Sequence, residues 1–211
     1  MLKLYYAPNA CSLASHIALA DAQAQFEALR LDLNAGDQRK PDYLAVNAKA
    51  RVPALVTDQG VLTENPVILG WVAQTYPLAR LKPDGDFFIF SEMQAFNMYL
   101  ASTVHVAFAH LFRSERWVDS DEAKQEMRKK VPAVLAEVFR LVEDRLRDGR
   151  PWICGSQYTV ADPYLYVFAR WLEREGAGGS ASMPLTRAHR ERMQQRATVQ
   201  NILAAEGIEP V

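Results

Sequence analysis

Hydrophobic and polar positions alternate at the start of this chain and give way to helical spacing later. Leu2-Lys3-Leu4-Tyr5-Tyr6 and Phe26-Glu27-Ala28-Leu29-Arg30-Leu31-Asp32-Leu33 both alternate, which predicts two strands. Between them lies a loop, Ala7-Pro8-Asn9-Ala10. Leu13, Ile17 and Ala20 then recur near helical spacing, predicting a helix from Cys11 to about Ala24. A polar loop from Asn34 to Lys40 precedes a short helix, Pro41 to Val46. Arg51-Val52-Pro53 leads into a strand, Ala54-Leu55-Val56. The turn Asp58-Gln59-Gly60 brings the chain back as Val61-Leu62-Thr63. The next helix has both end signals: Asn65 as N-cap with Pro66 at the first helical position, and Pro77 stopping it after Tyr76.

The order strand, helix, strand, helix, strand, strand, helix is that of a thioredoxin-like domain, with a parallel pair and a terminal hairpin. Beyond a linker, Leu81 to Asp86, which holds Pro83 and Gly85, the periodicity is helical only. Helices are predicted over Phe87–Leu111, Ser120–Asp148, Thr159–Arg174 and Pro184–Arg196, with a flexible loop at Gly176–Ser180. The predicted class is therefore α/β plus all-α. An N-terminal thioredoxin-like domain with a mixed sheet covers residues 1–80, a linker 81–86, and a C-terminal helical bundle domain 87–211. Thr159-Val160-Ala161-Asp162 reads as a capping box, with the Thr159 oxygen on the Asp162 N–H, the Asp162 carboxylate returning to Thr159, and Tyr158 as the apolar staple. That is a structural device rather than chemistry.

Composition narrows the function. With 49% hydrophobic and 23% charged residues over 211 positions, the chain can bury a full core. A net charge of −1 and a pI near 6.4 argue against nucleic acid as a partner. No apolar run is long enough for a membrane span, and the first residues lack a signal-peptide pattern, so the expected location is cytoplasmic. The two cysteines, Cys11 and Cys154, read as free thiols. No His or Cys spacing supports a metal site.

Five segments in order carry a resemblance. They are Tyr5 to Ile17 (YYAPNACSLASHI), Val46 to Leu55 (VNAKARVPAL), Leu62 to Asn65 (LTEN), Val104-His105, and Trp152 to Asp162 (WICGSQYTVAD). Over essentially its whole length the chain resembles a bacterial glutathione S-transferase, the beta class most of all. The resemblance implies a homodimer that joins glutathione, as substrate and with no separate cofactor, to a small apolar electrophile. It also admits reduction of glutathione mixed disulfides. The alternative is a non-catalytic binding or regulatory module that keeps the fold.

The resemblance assigns residues. Cys11, where the first loop meets the first helix, would be held as a thiolate by the helix N-terminus and would form a mixed disulfide with glutathione. Taken alone, it reads equally as a buried, inert thiol. There is no Cys-x-x-Cys, so a dithiol mechanism is unavailable. Ala10 and Ser12 flank the sulfur, with the Ser12 hydroxyl as a second donor. Val52-Pro53 matches a cis-proline junction whose Val52 backbone would pair with the cysteinyl segment of glutathione; a plain trans-proline is the ordinary reading. Glu64 and Asn65 would take the ammonium and carboxylate of the γ-glutamyl end, or serve only as surface acid and cap. His105 would face the sulfur across the cleft, although an isolated histidine in a helix is more often core. Arg51 and Lys49 would neutralise the glycyl carboxylate, or read equally as solvated loop charges. His16, His110 and His189 read as non-catalytic. Phe96, Met98, Phe108, Phe112, Tyr164, Phe168 and Trp171 form either an apolar wall or plain core. Three positions depart from the pattern: no lysine near Ala35 or Gly36, Met98 where asparagine is usual, and Val106 where lysine is usual. They imply weak glutathione affinity or a different thiol ligand.

Overall fold

The predicted strands form one four-stranded sheet in the computed structural model, which describes residues 1–211. Strand β1 (Leu2–Tyr6) lies parallel to β2 (Phe26–Arg30) and antiparallel to β3 (Ala54–Thr57), which returns as β4 (Gly60–Thr63), giving the order β2-β1-β3-β4. The two-residue turn before Gly60 requires φ +135° there, a conformation open to glycine alone among common residues. Helices α1 (Leu13–Asp21), α2 (Pro41–Val46) and α3 (Asn65–Thr75) complete the thioredoxin-like half. Leu13, Ala14, Ile17, Ala18 and Leu19 are all buried, because α1 lies between the sheet on one side and the helical half on the other.

The helical half is built from α4 (Phe87–Tyr99), α5 (His105–Phe112), α6 (Asp121–Leu146), α7 (Ala161–Trp171), α8 (Pro184–Gln194) and α9 (Ala197–Glu206). Every residue of α7 is buried, and α1, α4 and α8 pack around it. Two side chains start helices as expected of good caps: the Asp86 carboxylate accepts from the Phe88 and Ile89 N–H groups, and Ser120 Oγ from Ala123 N–H. One core of 42 buried residues runs through both halves without interruption.

Four local expectations change. The single helix predicted over Phe87–Leu111 contains a π-helical stretch, Leu100–Val104, where the wider turn resets which face the following residues present. The chain does not end its helices at Arg196. That residue is extended, and α9 follows it, ending at Gly207 with φ +68°. Asn65 is the first residue of α3 rather than its cap; Glu64 holds the cap position at φ +70°. The capping box is half as drawn. Asp162 does reach back, accepting from Thr159 N–H at 2.8 Å and Thr159 Oγ1 at 3.2 Å. Thr159 Oγ1, however, accepts from Ala161 N–H at 3.4 Å, while the Asp162 N–H goes to the Thr159 carbonyl at 3.1 Å.

Candidate active site

The loop from β1 to α1 is shaped by its own short hydrogen bonds. Ala10 N–H donates to the Ala7 carbonyl at 3.1 Å, and Asn9 adopts φ +57°. The Ser12 hydroxyl is fully buried, accepting from Ala7 N–H at 3.1 Å and donating to the Ala7 carbonyl at 3.3 Å. It pins the loop and is not free to donate to a neighbouring sulfur, which corrects that expectation for its side chain.

Cys11 is half-buried and its Sγ donates to the Val52 carbonyl at 3.4 Å. Helix α1 begins two residues later, and the nearby Leu13 and Ala14 N–H groups already bond the Ala10 and Cys11 carbonyls. The Cys11 backbone N–H, Arg51 and Asn65 favour the thiolate, but by less than burial disfavours it. Burial, with the Glu64 carboxylate adding to it, pushes the thiol up to about 12. Burial thus works against the expected thiolate and favours the thiol.

The Val52–Pro53 bond is cis. The segment before it is held by Tyr43 Oη and Asn47 Nδ2, which donate to the Arg51 carbonyl at 2.6 and 2.7 Å. Asn65 is buried, accepting from Ser15 Oγ at 2.6 Å and donating to the Cys11 carbonyl at 2.9 Å, so its side chain ties α3 to the loop. Glu64 is exposed and paired with Lys49, whose Nζ also donates to Thr63 Oγ1.

Facing this loop across a cleft of about 480 Å³ are residues of α5 and α7 and the turns that follow them. Cys11, Ala10, Arg51, Val52 and His105 all line it; Ser12, Pro53, Glu64 and Asn65 do not. His105 opens α5 with its ring 5.5 Å from Phe168 and 5.3 Å from Trp171. Burial, then Arg51 and Arg116, hold its imidazole down at about 4, so it is neutral at pH 7. Of the apolar-wall candidates, Phe112 and Trp171 reach the cleft. Phe96, Phe108, Tyr164 and Phe168 are core, and Met98 is exposed elsewhere.

Two features of the site were not anticipated. The helical half grips the cysteine loop: Trp171 Nε1 donates to the Asn9 carbonyl at 3.1 Å, and Asn9 N–H donates to Glu206 Oε2 at 3.3 Å. Glu206, itself buried, also meets His16 Nδ1 at 2.8 Å, tying α1 to α9. The cleft is also strongly cationic. Arg30, Arg51, Arg113, Arg116 and Arg174 line it against one acid, Asp32. Arg113 and Arg116 are spaced as helical neighbours, a signal present in the sequence; their meeting with Arg51 and Arg174 is not.

The first 74 residues match the family model described as glutathione S-transferase, N-terminal domain, and residues 98–197 match glutathione S-transferase, C-terminal domain. The chain is 36% identical over 207 residues to glutathione S-transferase GST-4.5 of Xanthomonas campestris, covering 98% of this chain and 100% of that one. Among solved structures it is similar to a glutathione transferase homologue from Sulfitobacter with bound glutathione, at 37% identity and TM-score 0.89 with 99% of each chain covered. It is likewise similar to the bacterial beta class enzyme of Sphingomonas chungbukensis, at 36% identity and TM-score 0.83 over 98% of this chain and 100% of that one.

Proposed function

Since this chain belongs to the glutathione S-transferase family and is a transferase, we propose that its cleft binds glutathione along the Cys11–Val52 groove and joins it to an electrophile held against the helical half. The observation that carries the reading is the place of the Cys11 sulfur, 3.4 Å from the Val52 carbonyl in a cleft lined by five arginines, where burial favours the thiol form. A protonated thiol is a hydrogen-bond donor and a poor nucleophile. The attacking sulfur is then glutathione's own. Its ionisation is favoured by the cleft arginines and, once the tripeptide backbone takes the Val52 carbonyl that Cys11 now bonds, by the released Cys11 S–H. The backbone of Ala10, Ser12, Val52 and Pro53 frames the tripeptide. The exposed Glu64 carboxylate and the α3 N-terminus at Asn65 receive the γ-glutamyl ammonium and carboxylate, and Arg51 the glycyl carboxylate. Neutral His105 offers a single N–H toward the same space.

The reading divides the chain at residues 81–86. It takes the protein as a cytoplasmic homodimer, supported by Leu78, Phe87 and Phe88, which are 97, 79 and 68% exposed. No helix is long and apolar enough to cross a membrane. Light scattering checks the dimer.

The test of function is Cys11→Ala. Conjugation of glutathione to chlorodinitrobenzene is expected to slow by about tenfold or less, the worth of one hydrogen bond. Complete loss of turnover, together with a glutathionyl adduct on Cys11 of the wild type, would instead assign the protein mixed-disulfide reduction by a nucleophilic cysteine. No retention on immobilised glutathione and no binding by calorimetry would leave the non-catalytic module.

A further inference from the structure

The ion-paired arginines of this chain are Arg80, Arg147, Arg150, Arg187, Arg190 and Arg196. None of them lines the cleft, and none of the five that do has a carboxylate partner. The one cleft acid, Asp32, spends Oδ1 on the Asn34 and Ala35 N–H groups. This clustering stands out in a chain whose net charge is −1. The guanidinium groups also feel one another. Arg116 is pushed down by burial and then by Arg51 and Arg113, with Glu115 offsetting a part. Arg174 is pushed down by burial and then by Arg113. Gathering like charges without counter-ions costs folding stability, and the cost is recovered when an anion enters.

Glutathione accounts for only some of them. Arg30 and Arg51 belong to the thioredoxin-like half, where the tripeptide lies. Arg113, Arg116 and Arg174 come from the opposite wall, beside the apolar surface of Phe112 and Trp171. Arg174 is seated over the Phe112 ring, 4.1 Å from its centroid. That stacking fixes a planar donor fork next to an aromatic face. We infer that the electrophile this cleft selects carries its own carboxylate, or a comparable anion, on a flat apolar body, and that Arg113, Arg116 and Arg174 are the residues that select it. The inference rests on the conjugation reading above and replaces the purely apolar acceptor expected from sequence with an amphipathic one.

The experiment compares chlorodinitrobenzene with its carboxylate, chlorodinitrobenzoate. In both, the glutathione sulfur forms a bond to the ring carbon, chloride leaves with the electron pair of the broken carbon–chlorine bond, and the thiol proton goes to solvent. Each kcat/KM is divided by the uncatalysed rate constant with glutathione to remove intrinsic reactivity. The wild type is expected to prefer the carboxylate by at least about tenfold, a preference that shrinks as salt is raised. The triple variant Arg113→Gln, Arg116→Gln, Arg174→Gln is expected to lose that preference through the KM of the benzoate. The corresponding lysine variant recovers a part of it. All three residues reach solvent and none is part of the buried core, and Arg174→Gln alone serves if the triple variant misfolds. A wild type active on both compounds without preference overturns the inference. So does a preference that survives the glutamine variants, or a change confined to the KM for glutathione. Inactivity toward both compounds despite glutathione binding overturns the conjugation reading itself.

Discussion

Replacing Asp162 with alanine tests how the helical half is held together. Its side chain is fully buried and all of its accepting capacity is used. Oδ1 accepts from Ile153 N–H and from His189 Nε2, both at 2.9 Å. Oδ2 accepts from Thr159 N–H at 2.8 Å and Thr159 Oγ1 at 3.2 Å. Ile153, Thr159 and His189 are themselves fully buried, so Asp162→Ala strands two backbone donors and one imidazole away from water. His189 Nδ1 already has no partner, which makes Asp162 the only bond that ring has. A stranded buried donor costs about 1–3 kcal/mol. The sum, after local relaxation, is about 3–5 kcal/mol, a large share of a typical stability of about 5–15 kcal/mol. For a chain of this size that lowers Tm by roughly 6–20 °C. Circular dichroism melts and urea titrations measure it, with glutathione conjugation per folded molecule as the control. None of the four residues lines the cleft, so turnover of the folded fraction is expected to hold. Asp162→Asn keeps the shape but turns an amide N–H₂ toward two donors, and falls between wild type and alanine. A shift under about 2 °C for alanine, the size a surface substitution gives, would refute the reasoning.

Two further outcomes follow from the site. His105 is held down at about 4. Between that value and the ordinary imidazole value of about 6.5, the unfolded chain binds a proton that the folded one does not. Stability therefore rises with pH through this window and is lost on acidification, by about 3 kcal/mol for this group. The difference between wild type and His105→Phe in urea titrations from neutral to acid pH isolates it, and parallel pH profiles would exclude it. Glu206→Ala frees Asn9 N–H and leaves His16 without its partner, at an expected cost of about 2–4 kcal/mol. Faster hydrogen exchange is expected at Asn9 to Ser12, with Glu206→Gln restoring part of the protection; unchanged exchange in that segment would show that the tie is idle.

What was legible in the sequence was what neighbours along the chain decide. Alternation in Leu2–Tyr6 and from Phe26 onward, the Gly60 turn and the proline-marked ends of α3 suffice for the succession of elements, although the alternation runs to Leu33 and the strand stops at Arg30. The Ser120 and Asp162 signals stand where helices begin. What was hidden depends on partners far along the chain. Asn65 looks like a cap by its place, yet its amide is drawn inward by Ser15 and the Cys11 carbonyl. The Asp162 bonds to Ile153 and His189 have no local signature. The break between α8 and α9 rests on one extended residue, Arg196, in a stretch whose composition is helical on both sides. The Cys11 position was readable, but its proton affinity is set first by burial and then by Glu64, 53 positions away.

The clamp on Asn9 also constrains how such a protein can be recombined. The two groups that hold the cysteine loop, the Trp171 indole and the Glu206 carboxylate, sit 162 and 197 positions downstream of it. A hybrid that joins this first half to a relative's helices inherits a shaped loop only if those helices bring an indole donor and a carboxylate acceptor to the same two places. Without that pair, a chimera of two sound halves is left with its cysteine on a slack hinge.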